Sequence, residues 1–340
     1  MSLIIIIVLY LVTSLILKSS IDFFKNSRLL DVPSERSNHN KPKPKGAGLI
    51  LIPLIIFATL LVFFLEKTLN NSWLVIFGFT LILTIISFLD DLKSISSRVR
   101  LIFQIFCVLS SLLLFKDDLN LLIESRILNF ISYEFSSLKP IIVLFFLTIV
   151  WVWIINLFNF MDGMDGITSV QVISLAIFTN ILAILDIIEI NFLYFSLILF
   201  AIFMAFLTVN KPPAKIFLGD VGSIPIGFLV GFLVIYNVIK TGLIIPFVII
   251  IMYYLLDSTI TLFKRILNGE NIFQAHSNHF YQKILRKGFS HNYVLRKITI
   301  LNFLLLLLSM ASIRFPIISV ALATILTAIL LMYFNSRKFK

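Results

Sequence analysis

Residues 140–166 read PIIVLFFLTIVWVWIINLFNFMDGMDG, and this stretch decides the fold class. Its apolar part, 140–158, has no charged residue and as a helix is long enough to cross about 30 Å of hydrocarbon. Asn and Asp then recur at three-residue spacing, and two Asp-Gly pairs favour a sharp turn. The stretch therefore predicts a membrane-spanning helix that ends in a cluster of polar side chains.

Similar apolar stretches occur along the whole chain of 340 residues, of which 59% are hydrophobic and 13% are charged. Soluble domains are closer to half apolar and a quarter charged, so this composition excludes a soluble globular enzyme. We predict an all-α, polytopic integral membrane protein with a single domain over residues 1–340 and eleven spans. The spans are predicted at 2–17, 46–65, 73–89, 99–115, 140–158, 166–185, 191–209, 222–239, 243–263, 297–313 and 315–334.

Basic residues distinguish the two faces of this predicted bundle. If the loops alternate between faces, one face carries 22 of the 28 Lys and Arg residues, counting those at span edges. The positive-inside rule places that face in the cytoplasm, with the N-terminus outside and the C-terminus inside. The net charge of +11 is therefore explained by topology, and we expect no nucleic-acid partner.

The first polar cluster on the cytoplasmic face is Asp90-Asp91-Leu-Lys93, at the end of the third span. Two adjacent carboxylates beside hydrocarbon repel each other, which is tolerable if they bind a divalent cation or if one holds a proton. The alternative is a solvated helix end at which Lys93 is a local partner.

The second cluster follows the fifth span and contains Asn156, Asn159, Asp162 and Asp165. Their three-residue spacing can place all four side chains on one side of a helix that runs into a turn. An Asp-Gly pair alone is an ordinary turn signal, but two such pairs preceded by two Asn residues favour a functional site.

The third cluster runs from Asn210 to Ser223 and contains Phe217, Gly219 and Asp220. A carboxylate flanked by glycines at the start of a span suits a metal ligand or a loop whose amides approach a phosphate. Phe217 could stack on a base or simply pack in the bilayer.

The fourth cluster is the longest cytoplasmic loop, which contains His276 and His279 followed by Lys283, Arg286 and Lys287. These bases suit phosphate groups, although a basic amphipathic helix on anionic lipid would have the same pattern. The histidine spacing does not predict a zinc site. A further basic segment, from Arg36 through Lys41, Lys43 and Lys45, precedes the second span; it is either an anchor or a site for an anionic headgroup or diphosphate.

Together, the four clusters place acidic groups fit for Mg²⁺ and basic groups fit for phosphates beside a long apolar environment. This combination predicts phosphoryl transfer between a soluble diphosphate and a lipid. A secondary transporter or flippase would instead have ionisable groups near the middle of the bilayer, where only Asp257 is expected. A purely structural subunit leaves the aspartates at the helix ends unexplained.

At these motifs the chain resembles the polyprenyl-phosphate N-acetylhexosamine-1-phosphate transferases, the MraY/WecA family of glycosyltransferases. Asp90-Asp91 is similar to the family's paired aspartates, and Asn159-Phe-Met-Asp162-Gly-Met-Asp165-Gly166 to its N-x-x-D-G-x-D-G segment. The segment from Asn210 to Ser223 resembles its nucleotide and metal loop. The match extends in order from Asp31 to Gln282.

The resemblance implies transfer of a sugar-1-phosphate from a UDP-sugar to undecaprenyl phosphate, with release of UMP, in a bacterial inner membrane. It implies Mg²⁺, with Mn²⁺ as an alternative, bound by Asp220, and a homodimer is also expected. The residues it implies to be catalytic are Asp90, Asp91 and Asp162. Those it implies to bind substrate are Lys41, Lys93, Asn159, Asp165, Asn210, Phe217, Gly219, His276 and His279.

Within the family, the loop His276-Ser-Asn278-His279 differs from the muramyl-pentapeptide branch, which has three consecutive histidines. It is similar to the branch that initiates O-antigen and related glycans, and the segment that begins at Asp257 fits that branch too. Two departures from the family pattern concern donor contacts. Asn278 replaces a common histidine, and Lys43-Pro-Lys45-Gly-Ala replaces Thr-Pro-Arg-Gly-Gly.

Overall fold

The computed structural model describes residues 3–27, 29–33, 42–93, 95–119, 139–271, 274 and 276–336. These residues are largely helical, with one antiparallel pair of two-residue strands, β1 (Leu30–Asp31) and β2 (Lys43–Pro44). The helices are α1 (Leu3–Lys25), α2 (Gly48–Leu65), α3 (Asn71–Lys93), α4 (Ser97–Leu114), α5 (Lys139–Met161), α6 (Ile167–Ile184), α7 (Ile190–Asn210), α8 (Asp220–Thr241), α9 (Ile244–Ile250), α10 (Met252–Leu267), α11 (Phe280–Arg286), α12 (His291–Ser312) and α13 (Pro316–Ser336).

Ten of these described helices are long and apolar enough to cross a membrane, and α9 with α10 forms a bent eleventh candidate. The predicted all-α polytopic membrane fold is thus confirmed. Several predicted span ends differ from the structure; among them, α1 continues to Lys25 and α3 continues to Lys93. As a result Asp90 and Asp91 lie within the last turn of a helix rather than in the loop that follows it.

The predicted continuous span over 243–263 is wrong, because the helix breaks at Ile251 and changes direction by 75°. At the break, Gln171 Nε2 donates to the Ile250 carbonyl oxygen over 2.9 Å and satisfies a group that has lost its helical partner. After the break, α10 is amphipathic, with Asp257 buried and Phe263 exposed on different faces. An apolar run in the sequence does not reveal such a break.

Helix α8 is the most buried span and lies at the centre of the bundle, where it packs against α2, α3 and α5. Gly231 allows the close approach of α5, because a Cβ atom at this position would lie 2.2 Å from the Trp151 ring. The Trp151 indole also donates to the Phe228 carbonyl oxygen over 3.0 Å. This packing fixes the start of α8, and with it Asp220, relative to the end of α5.

The polar clusters meet at one face of the bundle. The ends of α3, α5 and α7 and the starts of α4, α6 and α8 lie there, together with the strand pair and α11. The end of α13 lies at the same face, because Lys287 Nζ, just after α11, donates to the Phe334 carbonyl oxygen over 3.4 Å.

Candidate active site

A cavity of about 1080 Å³ opens at this face and continues between α4 and α5. Its polar end is built from the sequence clusters, and its other end is a groove with walls of Ile105, Leu109, Phe145 and Ile149. Of the residues predicted to act in catalysis or binding, nine line the cavity: Asp91, Asn159, Asp162, Asp165, Phe217, Gly219, Asp220, His276 and His279. Segments far apart in the sequence therefore share one chamber.

Three described residues that were predicted to belong to the site, Lys93, Asp90 and Asn210, are not found in the cavity wall. Lys41 lies outside the described residues. Lys93 is exposed at the end of α3, and Asp90 lies behind the wall. Asn210 is buried, and both ends of its amide bind backbone: Oδ1 accepts from Gly166 N and Nδ2 donates to Ile216 O, each over 2.9 Å. The Asn210 side chain therefore connects the loop that contains Gly166 to the loop that contains Ile216.

Arg100 joins two of the aspartate clusters. Its Nη1 lies 2.7 Å from Asp90 Oδ2 and 2.9 Å from Asp220 Oδ2. Asn159 Nδ2 donates to Asp220 Oδ1 over 3.0 Å and also to Ser223. The Asp220 carboxylate is thus held by one charged and one neutral donor at the first residue of α8. Gly219 provides the turn before it, with a φ of 77° that favours glycine.

The paired aspartates have different surroundings. Asp90 Oδ1 accepts a hydrogen bond from Ile95 N over 2.6 Å, and Asp90 Oδ2 accepts one from Arg100. This carboxylate therefore links the end of α3 to the start of α4. Asp91 Oδ1 pairs with Lys45 Nζ at 2.7 Å, and its Oδ2 is buried. Burial lowers the pKa of Lys45, but the hydrogen bond and charge of Asp91 outweigh it and the net shift is upward.

We expect Asp91→Asn and Asp90→Asn to have different effects. Asp91 lies in the cavity wall and its ion pair holds Lys45 there, so its substitution should lower turnover at least about tenfold. Asp90→Asn should instead lower the melting temperature by a few degrees, because it weakens a partly buried ion pair and a loop contact. Turnover and thermal unfolding in detergent measure both effects. Equal, mild losses of turnover in both variants would contradict separate roles.

Asp162 and Asp165, three residues apart, differ in protonation. Asp162 Oδ1 accepts from Thr168 Oγ1 over 2.6 Å; burial, with the nearby charge of Asp220, raises its pKa to about 8. Burial alone would also raise the pKa of Asp165. The nearby His291 ring, a hydrogen bond from Ala214 N and the charge of Lys43 together outweigh burial and lower it. At neutral pH this pair thus consists of one protonated and one ionised carboxyl group.

Phe217 lines the chamber beside Asp165, and Lys43 lies next to both of them. Lys43 Nζ lies 5.0 Å from the centre of the Phe217 ring and 3.6 Å from Asp165 Oδ2. The backbone holds this arrangement, because Phe217 N donates to Pro44 O over 2.9 Å and Lys45 forms a parallel bridge with Phe217. An aromatic face, a cation and a carboxylate together can contact a nucleobase and its phosphates.

The histidine loop is anchored by Asp257, which is completely buried. Its Oδ1 accepts from Phe280 N over 3.1 Å and lies 3.1 Å from His279 Nδ1. The ring of His276 stacks on that of His279 at 5.1 Å, and burial together with the charge of His279 lowers the pKa of His276 to about 4. His276 is therefore neutral at physiological pH.

Arg286 and Lys287, which the sequence groups with the histidines, face elsewhere. Arg286 donates to Ser277 Oγ, and Lys287 binds the carbonyl oxygens at the end of α13. Neither side chain lines the cavity.

Sequence reasoning missed Arg100 and His291. The sequence gives only a weak indication that Arg100 belongs to the site. It is a basic residue near the start of a span, and Gln104 follows four residues later on the same side of the helix. His291 starts α12 and reaches Asp165 only through the tertiary fold, at 3.4 Å from Oδ1.

Asp220 is the residue that could hold a hard divalent cation. In the described residues no three carboxylates or imidazoles form a complete ligand set. Mg²⁺ in phosphate-transferring sites takes one or two carboxylates and completes its shell with phosphate oxygens and water. Asp220, 37% exposed and close enough to Asp162 to raise its pKa, provides such a partial set.

Comparisons with known proteins find related sequences. Residues 73–238 match the model of Glycosyl transferase family 4. The chain is 26% identical over 284 residues to the probable undecaprenyl-phosphate N-acetylglucosaminyl 1-phosphate transferase of Bacillus subtilis (strain 168), covering 81% of this chain and 75% of that protein. It is also 42% identical over 66 residues to the candidate glycosyltransferase MJ1113 of Methanocaldococcus jannaschii, covering 19% of this chain and 20% of that protein.

The fold, the site and these matches define the class of protein. The chain is a multi-pass membrane transferase, and its resemblance to the polyprenyl-phosphate N-acetylhexosamine-1-phosphate transferases is confirmed.

Proposed function

We propose that the protein transfers an N-acetylhexosamine-1-phosphate from a UDP-sugar to undecaprenyl phosphate, at the cytoplasmic face of a bacterial inner membrane. One observation carries the proposal: a cluster of Asp220, Arg100 and Asn159 lies where the polar chamber meets the apolar groove, within one cavity. A soluble diphosphate and a lipid phosphate can therefore meet there.

The groove suits a polyprenyl chain. Its α4 wall extends from Ser97 to Leu109, which corresponds to a depth of about 18 Å at 1.5 Å per helical residue. Phe145 and Ile141 on α5 are 66% and 64% exposed, so the groove is open toward lipid. A lipid tail can enter sideways while its phosphate remains at the polar end.

In the proposed reaction, an oxygen of the lipid phosphate attacks the sugar-linked phosphorus of the donor. The bond from that phosphorus to the oxygen bridging to the uridine phosphate breaks, and UMP leaves. The lipid phosphate is already largely ionised at pH 7, so direct attack needs no strong base. Mg²⁺ would neutralise the charge that develops on the phosphate oxygens.

The chain's own groups orient the two substrates. Asp220 would hold the cation. Phe217, Lys43 and Asp165 would hold the uridine end of the donor. Arg100 and Lys45 supply positive charge on the side of the groove, where the acceptor phosphate would lie.

A transport function is less well supported by the positions of the titratable groups. In the described part of the chain, the aspartates of the cavity gather at helix ends on one face, whereas a transporter site would lie at mid-depth.

The test is turnover by the purified protein with Mg²⁺, undecaprenyl phosphate and a panel of UDP-sugars, read as UMP release. The panel contains GlcNAc and the 6-deoxy sugars FucNAc and QuiNAc, with UDP-MurNAc-pentapeptide to test the muramyl branch. We expect UMP with at least one N-acetylhexosamine and none when undecaprenyl phosphate is omitted. Absence of UMP with every donor would overturn the proposed function.

A further inference from the structure

A pair of amide side chains lies in the cavity wall on the membrane side of the charged cluster. Gln104 on α4 is 4% exposed, and Asn156 on α5 faces it. Gln104 is four residues after Arg100, and Asn156 is three residues before Asn159, so the pair lies one helical turn, about 4.5–6 Å, deeper than those residues. Beyond it, the groove wall is apolar.

The hydrogen bonds fix the orientation of both amides. Asn156 Nδ2 donates to the Val152 carbonyl oxygen over 2.8 Å and to Gln104 Oε1 over 2.9 Å. A carbonyl oxygen can only accept, so Asn156 cannot be flipped, and Gln104 must present its oxygen to Asn156. Gln104 Nε2 therefore remains as an N–H donor, for which the described residues offer no acceptor.

A purely structural pair would use its polar groups within the protein. Gln171, also buried within a span, uses both of its own amide atoms in this way: Nε2 donates to Ile250 O and Oε1 accepts from Asn302 Nδ2, while Asn302 Oδ1 has no hydrogen-bond partner among the described residues. Thr148, the next polar residue along the groove, bonds the Leu144 carbonyl oxygen in its own helix. Gln104 differs because its unused donor belongs to a cavity-lining residue, and such a group in a membrane span is costly unless a ligand satisfies it.

We propose that Gln104 Nε2 donates a hydrogen bond to a phosphate oxygen of the polyprenyl acceptor, and that Asn156 positions the amide for it. This inference rests on the proposed function and adds a binding residue to it. Arg100 would contact the same phosphate from the polar side. The two donors, one turn apart, would fix the depth of the phosphate in the groove and thus the point at which the apolar tail begins.

The test compares kinetic constants for both substrates in Gln104→Met and Gln104→Glu. A hydrogen bond to a charged group contributes enough that Met should raise the KM for undecaprenyl phosphate about 10- to 100-fold, with the KM for the UDP-sugar within about twofold. Glu has nearly the same size but replaces the donor by an acceptor, so it should weaken lipid use at least as much. If Gln104 had only a structural role, Gln104→Glu should instead keep a KM for undecaprenyl phosphate closer to wild type than Gln104→Met does.

Asn156→Leu tests the positioning role in a double-mutant cycle. It should raise the KM for undecaprenyl phosphate when Gln104 is present and have little additional effect in the Gln104→Met background. Asn302→Leu is the matched control, since it removes a buried intramembrane amide outside the cavity wall. It should lower the melting temperature and leave both KM values unchanged.

Failure of the inference and failure of the function give different results. If wild-type protein releases UMP but the Gln104 variants keep the wild-type KM for the lipid, or change both KM values equally, the inference is overturned and the function stands. A binding experiment without donor separates them further. Undecaprenyl phosphate should raise the melting temperature of wild-type protein more than that of Gln104→Met; equal shifts would overturn the inference even if no donor is turned over.

Discussion

Replacing Asp220 by asparagine is expected to reduce turnover by about 100- to 1000-fold while the protein remains folded. The substitution keeps the size of the side chain and an oxygen for Asn159 Nδ2, but it removes the charge that faces Arg100 and that would hold the proposed cation. Loss of one preorganised electrostatic contact at the reacting phosphates has an effect of this size. The side chain is partly exposed in the cavity, so folding should not depend on it.

The measurement is kcat as a function of Mg²⁺ concentration. Asp220→Asn should need more Mg²⁺ as well as turn over more slowly. Asp118→Asn is the matched control, because Asp118 forms a 2.7 Å ion pair with Lys240 away from the cavity, and this variant should behave as wild type. An unchanged Mg²⁺ titration in Asp220→Asn would exclude the metal-binding role.

Replacing Asp257 by leucine should abolish activity to below about 1% of wild type by releasing the histidine loop. The substitution leaves the backbone N–H groups of Phe280 and Tyr281 and the Nδ1 atom of His279 without their shared acceptor. Each buried donor left unsatisfied costs about 1–3 kcal/mol, which is enough to detach a short helix such as α11. Hydrogen exchange of residues 276–286 should rise, while exchange in α8 should stay unchanged.

Two further variants separate anchoring from contact with substrate. Asp257→Asn keeps one acceptor and should lose less activity than Asp257→Leu. His279→Ala should leave hydrogen exchange in the loop nearly unchanged but raise the KM for the UDP-sugar about 10- to 100-fold, if His279 contacts the donor. Activity of Asp257→Leu close to wild type would show that the loop takes no part in the reaction.

The spans and the positions of the polar clusters could be predicted from the sequence because each has a local cause. An apolar run long enough to cross the bilayer must hydrogen-bond internally as a helix. Charged residues are confined to the ends of such helices, so Asp91, Asp165 and Asp220 had to lie at an edge of the bundle. Basic residues then predicted that these edges share one face, and the shared cavity agrees with that.

The pairing of these groups could not be predicted, because it depends on how the helices pack. Arg100 and Asp220 are 120 residues apart and meet only because α4 and α8 both pack against α5. Asn210 has a side chain suited to a nucleotide, yet both of its amide groups bind backbone. The break at Ile251 depends on a tertiary hydrogen bond from Gln171, and the local sequence there continues as an apolar run.

Transfer of the donor's sugar-linked phosphate together with the sugar is the central claim, and its most direct test is a labelled donor. UDP-GlcNAc, or the donor that the panel selects, is prepared with ³²P in that phosphate and incubated with the protein, Mg²⁺ and undecaprenyl phosphate. We expect the label to move into the lipid fraction in equal amount to the UMP released, and the UMP to be unlabelled. Label that stays in UDP while the sugar alone enters the lipid would contradict the account.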